Sequence, residues 1–141
     1  MARAAKFHRR DGAEAMRALL TLPEPPDAVF CFNDLLAVGA LCAAAEHGRR
    51  VPDDLAVVGF DGSEERAYTV PTLTTVDPDK AAIAERAVER IAERISGGPD
   101  ATTEAVEIVT PFRLEAREST IGARAPAPPA TGRRPGAPTT T

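Results

Sequence analysis

Two histidines and two cysteines are all that the 141 residues offer of the side chains most used for metal binding and nucleophilic catalysis. Cys31 and Cys42 sit inside apolar segments without metal-ligand spacing, so they read as buried, reduced thiols of a cytoplasmic protein. His8 has no partner in the pattern, and His47 stands where a helix should end, suited to capping its last carbonyls. A Gly-x-Ser-x-Gly elbow, a Gly-rich phosphate loop, HExxH and an EF-hand pattern are all missing. No catalytic residue, metal or cofactor is therefore expected. A basic excess is missing too: the formal net charge is −4 and the pI about 5.2, unlike a compact nucleic-acid module. Lysine is nearly absent, with 2 against 15 arginines, which reads as coding bias rather than function. No apolar run approaches the roughly 20 residues of a membrane span, and the basic start MARAAKFHRRDG has no apolar core of a secretory signal.

What is present is the composition of one globular domain, 43% apolar and 27% charged. Residues 1–10 read as a poorly structured start, 11–121 as the folded body and 122–141 as a disordered tail. Five of the thirteen prolines fall in that tail, whose only apolar residues are alanines. Within the body, Asp11 is suited to cap a short helix with an apolar stripe at Ala15, Met16, Leu19 and Leu20. Ala28 to Phe32 and Leu55 to Gly59 are continuous apolar runs of strand length, as in strands covered on both faces. Between them LLAVGALCAAAEH reads as a helix stopped by Gly48. Leu73 to Val76 follows as a strand. Asp77-Pro78 opens a helix to about Ser96, with Ala84, Ala87, Val88, Ile91 and Ile95 along one side. Two short strands, Ala105 to Val109 and Phe112 to Ala116, complete the pattern. The alternation predicts an α/β fold with a parallel sheet and flanking helices.

Ligands of such sheets bind beyond the carboxyl ends of the strands. Two strand exits carry polar side chains, Asn33-Asp34 and Asp61. If the two strands are neighbours, both exits open on one edge. There an amide and a carboxylate could grip the hydroxyls of a sugar or polyol. The plainer roles remain open: Asp34 as a helix cap, Asn33 as a turn residue and Asp61-Gly62 as a turn pair.

Four stretches, in order, carry a resemblance: PDAVFCFNDLLAVGAL at 26–41, GRRVPDDLAVVGFDG at 48–62, VPTLTTVDPD at 70–79 and FRLEAREST at 112–120. Together they resemble the effector-binding core of transcription regulators of the lactose-repressor/galactose-repressor (LacI/GalR) family. The resemblance implies part of a two-lobed, type I periplasmic-binding-protein-like fold. It implies a small-molecule effector, often a sugar, bound between the lobes, a homodimer, and operator DNA reached through a helix-turn-helix. Asn33 and Asp61 match positions that line the family's effector cleft. Met16, Leu20, Val38, Leu41, Cys42 and Tyr68 fall in its dimer-forming segments. Nothing in these residues resembles the helix-turn-helix, hinge or first lobe, so a fragment that binds operator DNA weakly or not at all is expected. In the family the helix after Val76 packs on the first lobe, so its apolar stripe is expected to be exposed or folded back. A fragment of an extracytoplasmic sugar-binding protein of the same fold is the nearest alternative, and an α/β enzyme a more distant one.

Overall fold

The computed structural model describes residues 6–97 and 107–122. The expected tail therefore lies outside the described residues from 123 onward, as do residues 105–106 of one expected strand. The rest of that strand, 107–109, has no regular structure.

Four strands form one sheet in the order β1-β2-β3-β4. These are β1 (Ala28–Phe30), β2 (Ala56–Phe60), β3 (Thr74–Pro78) and β4 (Phe112–Glu115). The first three run parallel and β4 antiparallel to β3. The helices are α1 (Arg9–Leu20), α2 (Asp34–Glu46), α3 (Lys80–Ser96) and α4 (Glu118–Ile121), with a 3-10 turn at Glu64–Ala67.

The core forms where α1 lies on α2 and α2 lies on the sheet. α2 is apolar around most of its circumference, as a helix must be when elements pack on two of its sides. Ala37, Ala40, Ala43 and Ala44 are buried in it beside Met16, Leu55, Val57 and Leu73. Glycines set the approach of the two helices. A Cβ on Gly12 would strike the Leu36 backbone, and one on Gly39 would strike the Arg9 carbonyl and the Ala13 amide. α2 ends as its sequence implies. Gly48 takes a positive φ of 67°, and His47 donates through Nδ1 to the Ala43 carbonyl at 2.9 Å.

Several local expectations are corrected. α1 begins at Arg9, with His8 as its cap and Asp11 already in its first turn, accepting from the His8 amide. β1 is not covered on both faces. Among the described residues it is a sheet edge with β2 as its one neighbour, and Phe30 and Phe32 stay mostly exposed, packed edge to face. Asp77-Pro78 closes β3 instead of opening a helix; Asp79 caps α3 by accepting from the Ala82 amide at 3.0 Å. Cys31 is buried but Cys42 is exposed on α2.

α3 buries none of its residues: Val88, Ile91 and Ile95 of its stripe are all exposed. Of the two outcomes expected for that stripe, exposure is the one found.

The segment after β4 has a role that the strand pattern does not disclose. Ser119, fully buried, donates to the Val57 carbonyl at 2.6 Å and accepts from the Thr74 amide at 2.8 Å. The Glu118 carboxylate accepts from both the Thr72 amide and its hydroxyl at 2.9 Å. α4 thus fastens the entry of β3 against β2.

The helix approach makes a stability prediction. Gly39→Ala should lower the unfolding free energy by about 1–3 kcal/mol, the usual cost of overpacking, because the atom it meets is backbone. Urea unfolding of the two proteins checks this, and an unchanged midpoint contradicts it.

Candidate functional site

Asn33 and Asp61 leave the sheet on the same edge. Phe30 pairs with Val58 across the parallel ladder, and each polar residue lies three positions further on. Phe60 pairs with Val76, which brings Asp77 to the same level. The carboxyl edge of the sheet therefore carries an amide and two carboxylates, one each at or just beyond the ends of β1, β2 and β3.

The capping roles are the reverse of the simplest expectation. Asn33 is the cap of α2: its backbone is extended, and Oδ1 accepts from the Leu36 amide at 2.8 Å. Its Nδ2 donates to the Phe7 carbonyl at 3.2 Å. Among the described residues, one lone pair and one N–H of this half-buried amide have no partner.

Asp34, at 1% exposure, turns inward. Its Oδ1 accepts from the Thr75 hydroxyl and its Oδ2 from the Ser63 amide, both at 2.6 Å. Gly59 makes this possible, because a Cβ there would occupy the position of Asp34 Oδ1. One carboxylate thus ties the start of α2 to β3 and to the turn after β2. It also raises the Cys31 thiol: burial, helped by the nearby Asp34 charge, pushes it up to about 12, which keeps the thiol protonated at neutral pH.

Asp61 adopts φ 103°, the left-handed side where a side chain other than glycine is strained. Such a residue costs roughly 1–3 kcal/mol and persists where its surroundings over-determine it. Here they do. The Asp61 amide donates to the Val76 carbonyl at 3.0 Å, and its carbonyl accepts from Lys80 Nζ at 2.7 Å. The Gly62 amide donates to the Thr75 hydroxyl at 3.3 Å. The Asp61 carboxylate itself is exposed and accepts no hydrogen bond among the described residues. Partial desolvation, reinforced by the Asp34 charge and opposed by Lys80, raises its pKa above the ordinary aspartate value.

Two depressions flank this edge. An open apolar groove of about 460 Å³ runs beneath Phe7, Met16, Leu19, Phe30 and Phe32. A smaller one of about 370 Å³, of mixed lining, lies among Asp77, Lys80, Phe112 and Arg113.

The dimer-segment residues divide into two groups. Met16 and Leu41, at 1% and 6% exposure, fill the chain's own core and cannot meet a partner. Stacking α1 on α2 consumes that side of both helices. Leu20 is half-buried against the core and Val38 half-buried on α2, whereas Cys42 and Tyr68 are exposed.

Sequence reasoning passed over Asp34 as an anchor, together with Thr75, Ser63 and Lys80. The signal was the Thr74-Thr75 pair inside a buried strand, since a buried hydroxyl needs a partner.

Comparison with known proteins agrees with this architecture. The model of the periplasmic binding protein-like domain matches residues 1–120. The chain belongs to this family, in the branch of the LacI-type regulators. The HTH-type transcriptional repressor PurR of Mannheimia succiniciproducens is 45% identical over 102 residues, covering 72% of this chain and 30% of that protein. Among solved structures, a putative LacI-family regulator from Sanguibacter keddieii superposes with a TM-score of 0.77 at 41% identity. It covers 84% of this chain and 45% of that one. The regulator CelR, solved with cellobiose, superposes at 0.74 with 37% identity, covering 81% and 34%. The match thus covers 26–30% of the length of the curated PurR relatives.

The raised pKa of Asp61 has a measurable sign. The folded chain holds this proton more tightly than the unfolded chain does, so the ionised form opposes folding at neutral pH. Asp61→Asn should raise the melting temperature at pH 7. The gain should fade as pH falls through the raised pKa to below the ordinary value of about 4. Melting curves across that range check it; a gain that persists at low pH contradicts the cause assigned.

Proposed function

We propose that this chain is the effector-binding portion of a cytoplasmic LacI-type transcription regulator. Its ligand is a sugar, held at the carboxyl edge of the sheet by Asn33 and Asp61. The observation that supports this reading is that the two residues follow neighbouring parallel strands and so leave the sheet at the same edge. Among the described residues, Asp61 offers a carboxylate without a donor, and Asn33 keeps one donor and one acceptor free. Acceptors paired with an amide suit vicinal hydroxyls. The cellobiose bound by the similar CelR supports a sugar over other effectors.

Dimerisation belongs to the same reading, through Tyr68, Cys42 and the half-buried Leu20 and Val38. Tyr68 is 77% exposed and so is accessible to a partner. Operator DNA is contacted by the regulator through a helix-turn-helix outside these residues. The effector acts by shifting the population of DNA-competent dimers, and the reaction chemistry of an enzyme plays no part.

Isothermal calorimetry against a panel of pentoses, hexoses and cellobiose tests this. One panel member should bind the native chain, and Asp61→Ala should abolish that binding while the far-UV circular dichroism is unchanged. Undiminished affinity in Asp61→Ala, or no binding by the native chain to any sugar, contradicts the reading.

A further inference from the structure

The strained turn at Asp61 is gripped from outside by a single guanidinium. Arg66, in the 3-10 turn just downstream, donates through Nη1 to the Gly62 carbonyl at 2.5 Å and to the Ser63 carbonyl at 2.6 Å. Its Nε donates to Glu115 Oε2 at 2.9 Å, and its Nη2 lies 4.0 Å from Asp77. Its own carbonyl accepts from the Leu73 amide at 2.9 Å, which fixes the base of the side chain. Glu115 is held in turn by Arg117 Nη2 at 3.2 Å, and it sits in β4 opposite Thr75. Thr75 is the residue whose hydroxyl meets Asp34 and the Gly62 amide. The Arg66 and Glu115 side chains are about four-fifths buried, so their contact is shielded from solvent.

These contacts converge on one segment. The amides of 61–63 face β3 and Asp34, while two of its carbonyls face Arg66. A planar guanidinium can serve two carbonyls and a carboxylate at once because its donors diverge in a fixed fork; an ammonium has no such fork. Glu115 completes the arrangement. Burial pushes its carboxyl up, but Arg66 and Arg117 outweigh this and hold it below the usual glutamate range, so it stays charged against Arg66.

We propose that Arg66 is the positioning residue of this edge. It holds the Asp61–Ser63 turn in its strained shape and, through Glu115, ties that turn to β4. Arg66 touches no ligand. It sets where the Asp61 carboxylate stands, and it makes the turn and the last strand move as one. The part of this that concerns a ligand rests on the function proposed above; the tie itself does not.

The test uses residue-resolved amide hydrogen exchange on the full chain, with Arg66→Ala, Arg66→Lys and Glu115→Gln. Exchange at Gly62 and Ser63 should quicken by about tenfold in Arg66→Ala, as for loss of charge-assisted bonds at a locally opening site. Ala40 and Ala44 of α2 should keep native protection. Arg66→Lys should restore part of the protection. Glu115→Gln should quicken the same two amides although it touches neither. Native exchange at Gly62 and Ser63 in Arg66→Ala overturns the positioning role, and native exchange there in Glu115→Gln overturns the tie to β4. If Arg66→Ala does not fold, the lysine and glutamine variants decide in the same way. Calorimetry with cellobiose and the sugar panel then separates the two proposals. A native chain that binds no sugar refutes the effector reading and leaves the exchange result standing. Sugar binding unaltered in Arg66→Ala, with quickened exchange, refutes only the claim that Arg66 sets the position of Asp61.

Discussion

A buried carboxylate is the constraint on which the rest of the structure depends. Asp34 stands at 1% exposure, and an unpaired charge there would cost several kcal/mol. Two donors remove that difficulty, the Thr75 hydroxyl and the Ser63 amide, each at 2.6 Å. The first turn of α2 adds the positive end of its dipole. Because the carboxylate needs all of these, the start of α2, the middle of β3 and the turn after β2 cannot drift apart. Gly59 must leave room for it, and Gly62 must in turn leave room for the Asp77 carboxyl.

The consequence is a rigid edge on a lightly built domain. The turn at Asp61 keeps a positive φ because β3, Lys80, Asp34 and Arg66 hold its backbone from several directions. Away from that edge the fold is thinner. β1 is three residues long and open on its outer side, and α3 buries nothing. The compact part runs from α1 across α2 to β2 and β3, fastened at the far end by Ser119 between Val57 and Thr74. Precision is thus concentrated at the carboxyl edge of the sheet, where a turn and a helix cap are pinned to regular elements by side-chain hydrogen bonds.

The fold was readable wherever a single physical signal dominated. The apolar runs at β1 and β2, the helix between them and the glycine that ends it leave little choice of structure. The shared edge of Asn33 and Asp61 follows from them once the strands are neighbours. Reading failed where two adjacent residues could do the same work. Asn33 and Asp34 can both cap a helix, and tertiary partners chose which one turned inward. Asp77-Pro78 looks like a helix start, yet β4 recruits both residues into the ladder, and Asp79 is left to cap α3. Met16 and Leu41 carry no mark that separates a face turned to the core from a face turned to a partner. Arg66 was invisible for another reason: its partners Gly62, Ser63 and Glu115 meet only through the packing of β4 beside β3.

The central claim is that Asp34 and Thr75 act as one unit. A double-mutant cycle measures this directly, with unfolding free energies for the native chain, Asp34→Ala, Thr75→Val and the double variant. A hydrogen bond to a buried charge predicts a coupling of about 1.5–3 kcal/mol between the two sites. Single effects that add to within about 0.5 kcal/mol would contradict it, because residues without mutual contact behave that way.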